Sequence, residues 1–165
     1  MTPDTKSSAH AVLFVCLGNI CRSPTAEGVF RALAREAGLE PELRIDSAGT
    51  GGYHVGATPD ARAMAAASAR GYDLSTIRAR KVSVQDFHEF DLILAMDEDN
   101  LLHLQGIAPE GARARLGLLL DYAPGSAGRG VPDPYYGGRN GFEQVLDLVT
   151  EACAGLVDEL RRTLR

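Results

Sequence analysis

The chain has 165 residues, 45% of them hydrophobic and 24% charged, which fits one domain that can bury a core without disulfides or metal. Its formal net charge of −5 argues against a nucleic-acid partner, which needs a basic face, but not against a ligand carrying one phosphate, which needs only a local positive site. The three cysteines, Cys16, Cys21 and Cys153, do not form a secreted disulfide framework, so a reducing, cytoplasmic setting is expected.

Residues 1–10 are polar and lack the apolar centre of a signal peptide; they read as a short mobile tail ahead of a domain over residues 11–165. No run is long and apolar enough to suggest a membrane partner. Residues 11–15 (AVLFV) predict a buried strand. Residues 23–37 predict a helix with Ala26, Val29, Phe30, Leu33 and Ala37 on one face and Gly38 as its stop. A second strand is expected over 43–48. Thr58 as cap and Pro59 as first residue predict a helix ending near Gly71. Residues 91–96 (DLILAM) read as a third strand, a short helix follows Asp97, and a fourth strand lies near 116–120. Residues 124–141 form a Gly/Pro-rich stretch long enough to suggest a functional loop. From 142 to 164, Phe142, Val145, Leu146, Val149, Cys153, Leu156, Val157 and Leu160 recur at helical spacing, with Arg161, Arg162 and Arg165 at the end the helix dipole favours. Alternating strands and helices imply an α/β domain: a parallel sheet with helices on both faces, which binds ligands at the carboxyl ends of its strands.

The segment after the first strand, Cys16-Leu17-Gly18-Asn19-Ile20-Cys21-Arg22-Ser23-Pro24, carries the chemistry. A loop between a buried strand and a helix N-terminus presents backbone N–H groups and the positive end of the helix dipole together, which makes an anion site. Gly18 lets the backbone turn, Asn19 tolerates a left-handed conformation, and Arg22 offers a planar fork to two phosphate oxygens. Ser23 is expected to cap the helix ahead of Pro24. The features that attract phosphate also favour an anionic sulfur at Cys16, and Ser23, close to the loop's end, is expected to donate a hydroxyl hydrogen bond to it. Cysteine and arginine at this separation are a weak pattern alone, equally compatible with a buried core thiol. The strand before, the helix after, the internal glycine and the Ser-Pro behind favour the anion site.

The run VCLGNICRSPTAEG resembles the signature of the low-molecular-weight protein tyrosine phosphatases. IDSAGT (45–50), MDEDNL (96–101) and DPYY (133–136) follow in that family's order over nearly the whole chain after the tail. The resemblance implies a four-stranded parallel sheet flanked by helices, phosphotyrosine phosphatase I-like and flavodoxin-like in its double winding. It implies hydrolysis of phosphotyrosine in protein, and of aryl phosphate monoesters, through a phosphocysteine intermediate, with no cofactor or metal. The nucleophile would be Cys16. Arg22 and the loop Leu17, Gly18, Asn19, Ile20, Cys21 and Ser23 would bind phosphate, with Asn19 and Ser47 holding the loop's shape.

From spacing alone, Asp133, between Pro132 and Pro134, reads as a loop carboxylate making a turn hydrogen bond. The resemblance makes it the general acid and then the base that activates water, which a poor phenolate leaving group requires. Tyr53, Tyr135 and Tyr136 would wall the cleft, the latter two being sites of phosphorylation in relatives, and Cys21 would trap oxidised Cys16 as a disulfide. Asp97 matches a residue near the arginine in some members and suits a helix cap equally. Where a loop-supporting histidine is expected before Gly71, Arg70 stands. His10, His54, His88 and His103 match no metal-ligand spacing. A thiol-dependent arsenate reductase on the same fold would need a relay of further cysteines, absent between Arg22 and Ala152. A catalytically silent phosphoprotein-binding module is disfavoured by the presence of both Cys16 and Asp133. The sequence leaves the oligomeric state open.

Overall fold

The computed structural model describes residues 9–135 and 139–164; most of the expected tail, and Tyr136, lie outside the described residues. Strand β1 (His10–Cys16) is buried on both faces from Ala11 onward because its alternate side chains enter two separate cores. Val12, Phe14 and Cys16 face one, and Ala11, Leu13 and Val15 the other, which is why the run reads as continuously apolar. β2 (Leu43–Gly49), β3 (Leu92–Ala95) and β4 (Arg115–Leu118) complete a parallel sheet in the order β2-β1-β3-β4. Val12 is in register with both Ile45 and Leu92, so β1 lies at the centre.

Helix α1 (Arg22–Glu36) follows β1, α2 (Ala61–Ala69) and the single-turn α3 (Asp86–Glu89) follow β2, α4 (Glu98–Ile107) follows β3, and α5 (Arg139–Thr163) ends the domain. The first core joins β1 to Val29 and Phe30 of α1, Ala67 of α2 and the stripe Val145, Leu146, Val149, Cys153, Leu156 and Leu160 of α5. Phe14 and Phe30 meet edge to face with centroids 5.5 Å apart, a contact worth about 1 kcal/mol beyond burial. The second core sets Leu13 and Ile93 against Phe87 of α3 and Leu104 of α4. The chain leaves β1 towards β2 and returns to β3 on the other side. The β1–α1 loop therefore sits at the switch point, where neighbouring loops diverge and open a crevice.

Several element boundaries depart from expectation. α2 starts at Ala61, not Pro59: Ala57 pairs with Ala79 through N–H···O of 2.9 Å, keeping the chain out of the helix, and Asp60 Oδ1 caps the helix by accepting from Arg62 N at 2.8 Å. α1 begins one residue before Ser23, with Cys21 in the cap position and no side-chain cap; the Ser23 hydroxyl is engaged elsewhere. β4 ends at Leu118, and Leu119–Tyr122 turn as a 3₁₀ segment; both Leu119 and Leu120 are buried, so an apolar run could not separate strand from turn. α5 starts three residues earlier than its apolar stripe, at Arg139. Among the described residues no helix is long and apolar enough to cross a membrane.

Candidate active site

The loop from Cys16 to Arg22 curls at the carboxyl end of β1. Asn19 is the one non-glycine residue described with positive φ, at 58°, the left-handed conformation asparagine accepts more readily than most residues. The end of β2 clamps the loop from beside it: Thr50 N donates to Cys16 O at 2.9 Å and Gly51 N to Leu17 O at 3.0 Å. Gly49 is needed for this approach, because a Cβ there would lie 2.8 Å from Leu17 O and 3.2 Å from Asn19 N.

The direction of the hydrogen bonds beneath the loop can be derived from its donors. Arg80 N can only donate, so the Asn19 side chain turns Oδ1 towards it, at 2.9 Å. Asn19 Nδ2 must then donate, and does so to Ser23 Oγ at 2.8 Å and Ser47 Oγ at 3.0 Å. Ser47 sends its own proton to Glu27 Oε1 at 2.7 Å. Ser23 Oγ, already accepting from Asn19, lies 3.0 Å from Cys16 Sγ, with the Ala48 carbonyl a longer alternative at 3.4 Å. Once the sulfur is ionised, only Ser23 can donate along that contact; Asn19 N donates to the same sulfur at 3.3 Å. Glu27 is buried, which pushes its carboxyl up, while hydrogen bonds from Ser47 and Arg31 pull it back down. Glu27 and Arg80 were not anticipated from sequence; no spacing signal ties position 80 to position 19.

Arg22 is 3% exposed, and its fork is held from behind. Nη1 donates to Asp97 Oδ2 at 2.6 Å and to Val131 O at 3.0 Å, while Nη2 stands 3.6 Å from Asp133 Oδ2. The two readings of Asp97 are both correct: its other oxygen, Oδ1, caps α4 by accepting from Asn100 N at 2.8 Å. Asp133 accepts from Tyr135 N at 3.0 Å, the turn hydrogen bond expected from spacing, with its carboxyl beside the Arg22 fork. Arg70 lies away from this network; it pairs with Glu143 and Asp147 on α5. The loop is supported without it.

Cys16, Gly18, Ile20, Cys21 and Arg22 floor a cavity of about 390 Å³, and Leu17, Tyr53, His54, Asp133 and Tyr135 wall it. Tyr53 is 75% exposed at the rim. His54, missed in the sequence because one histidine among four carries no pattern, lies between the Tyr53 and Tyr135 rings with centroids 6.5 and 6.4 Å away. Cys21 is a neutral thiol: burial first, then the charges of Asp60, Cys16 and Asp133, push it up to about 12. The side chains of Ser47 and Asn19 lie beneath the loop rather than on the cavity wall. Tyr136, also expected to wall the cleft, is outside the described residues.

A buried thiol, an arginine fork and a carboxyl thus border one cavity at the carboxyl end of a parallel sheet in an α/β domain. The family model described as low molecular weight phosphotyrosine protein phosphatase matches residues 11–165. A low molecular weight protein-tyrosine-phosphatase of Streptomyces coelicolor is 46% identical over 155 residues, covering 92% of this chain and 94% of that protein. The human low molecular weight phosphotyrosine protein phosphatase is 38% identical over 156 residues, covering 93% and 98%. The crystal structure of YfkJ from Bacillus subtilis superposes with a TM-score of 0.89 at 41% identity, covering 96% of this chain and 98% of that one. The chain belongs to the low molecular weight protein tyrosine phosphatase family.

Proposed function

We propose that this protein hydrolyses phosphotyrosine in protein substrates, and small aryl phosphates, at the cavity above Cys16. The observation that carries the reading is that Cys16, the Arg22 fork and Asp133 all face one cavity. Phosphate binds in the loop against backbone N–H groups and Arg22. The Cys16 sulfur attacks phosphorus, the phosphorus–oxygen bond to the ring breaks, and Asp133 gives its proton to the leaving phenolate oxygen. This leaves a phosphocysteine. Asp133, now a carboxylate, takes a proton from water as that water attacks phosphorus; inorganic phosphate departs and the thiolate returns. Ser23 stabilises the sulfur anion through the 3.0 Å contact. Tyr53 and Tyr135 supply ring faces for the phenyl group. The three cysteines are unpaired thiols, which fits a cytoplasmic setting.

Asp133→Asn tests the acid. Its loss should cripple cleavage of tyrosine phosphate, on the order of a hundredfold, and cost far less with an ester of an acidic phenol, which leaves without a proton. Steady-state kinetics on the two esters measure the ratio; equal losses would make Asp133 structural.

Cys21 lies within the same loop, and as a thiol it can trap an oxidised Cys16. Peroxide converts the Cys16 thiolate to a sulfenic acid with loss of hydroxide; Cys21 then displaces water to form a disulfide. Reversible peroxide inactivation with a Cys16–Cys21 bond in the mass spectrum is the expected outcome. Cys21→Ser should recover poorly with added thiol after the same dose, and Cys153→Ser should recover like wild type. Cys153 is 0% exposed in the first core and does not line the cavity. Full recovery of Cys21→Ser would remove the role.

A further inference from the structure

We infer that Arg62 is a positioning residue that holds the Asp133 loop over the phosphate loop, acting through Tyr135. This rests on the assignment of Asp133 as the acid proposed above. Asp133 sits on a segment suspended at two points. On its amino-terminal side, Val131 is buried and pinned: its N–H donates to Met96 O at 2.7 Å and its carbonyl accepts from Arg22. On the carboxyl-terminal side, Tyr135 N holds Asp133 Oδ1, and the Tyr135 carbonyl accepts from Arg62 Nη2 at 2.9 Å. The Arg62 guanidinium also lies 5.7 Å from the Tyr135 ring centroid and 4.8 Å from that of Phe142, at the start of α5.

Arg62 is itself held. Asp60 receives Nε at 3.1 Å and Nη2 at 3.0 Å, a two-pronged pairing that keeps the guanidinium plane in place. The hydrogen bond from Arg62 in turn holds the Asp60 carboxyl below its ordinary value, favouring the charged form that grips the guanidinium. Asp60 N donates to Ile20 O at 2.8 Å, in the phosphate loop. One short segment, Asp60 to Arg62, therefore touches the phosphate loop with its backbone and the acid loop with its guanidinium. It sets the distance between the two halves of the site. Asp133 is 44% exposed and, among the described residues, is otherwise tied to the floor by one ion pair of 3.6 Å, to Arg22. A carboxyl displaced by about an ångström loses much of its proton-transfer rate.

A residue that merely supports the fold would slow all substrates alike. A residue acting through the acid slows only those that need the acid. Arg62→Ala should lower kcat for tyrosine phosphate on the order of tenfold, leave KM nearly unchanged, and cost less than about twofold on an ester of an acidic phenol. Arg62→Lys keeps the charge without the fork and should restore only part of the loss. In an Asp133→Asn background, Arg62→Ala should add almost nothing, because the group it positions is already gone. A thermal melt verifies folding; if Arg62→Ala is unfolded, Arg62→Met is judged by the same ratio of substrates. Equal losses on both esters, no loss on either, or additive losses in the double variant would overturn the inference while leaving the acid assignment standing. An Asp133→Asn variant without substrate selectivity would overturn the assignment and the inference together.

Discussion

Cys16→Ser should abolish turnover while phosphate, vanadate and phosphotyrosine still bind. The cradle is made by backbone and by Arg22, and neither depends on the sulfur. Asn19 keeps its amide contacts to Arg80, Ser23 and Ser47, so the loop retains its shape. Among the described residues, the groups hydrogen-bonded to the Cys16 sulfur are the Asn19 N–H and the Ser23 hydroxyl, which are donors rather than bases, so a serine hydroxyl at position 16 is not activated by them. The measurements are single-turnover assays for a phosphoenzyme and calorimetry with vanadate. Turnover near wild type would remove Cys16 as the nucleophile. The same variant, used as a trap in cell extract, would retain the physiological phosphoprotein.

Arg22→Lys should cost on the order of a hundredfold or more in kcat/KM, as lost donors to a transition-state oxyanion do. The charge is kept, so the loss isolates geometry. The arginine is anchored from behind by Asp97 at 2.6 Å and Val131 O at 3.0 Å, which leaves the other arm of the fork aimed into the cavity. A lysine ammonium is one point charge and cannot pair with Asp97 and two phosphate oxygens in a plane. It also leaves the buried Val131 carbonyl without its donor, and Val131 is one of the two points from which Asp133 hangs. The loss should therefore appear in both phosphate affinity and kcat. Inhibition by inorganic phosphate, measured beside kcat, separates the two, and a near-silent substitution would mean that Arg22 does not contact phosphate.

The parts of the site legible in the sequence are those contiguous in the chain. Cys16 to Arg22 is one loop between a strand and a helix, and the position of Asn19 and Gly18 within it carries a conformational signal, met by the φ of 58° at Asn19. Asp133 and Tyr135 became legible only by resemblance, since a carboxylate between two prolines has a turn explanation, and that turn hydrogen bond is present. Thr58 and Pro59 misled for a different reason: they are good helix-start residues, but the pairing of Ala57 with Ala79 keeps them out of the helix and hands the cap to Asp60. Local propensity of a few tenths of a kcal/mol yields to a contact made from 22 residues away.

By itself the sequence determined the alternation of elements, the double-sided burial of the central strand, and the loop from Cys16 to Arg22 between a strand and a helix, because each depends on residues close in the chain. It did not determine what supports that loop or faces it. Asn19 is oriented by the backbone of residue 80, Arg22 is backed by Asp97, the Tyr135 carbonyl beside Asp133 accepts from Arg62, and His54 joins the wall from a separate loop. These contacts arise where the parallel sheet brings the carboxyl ends of β1, β2 and β3 together. A hydrogen bond between side chains tens of residues apart leaves no periodicity in the chain, so only the tertiary structure could decide them.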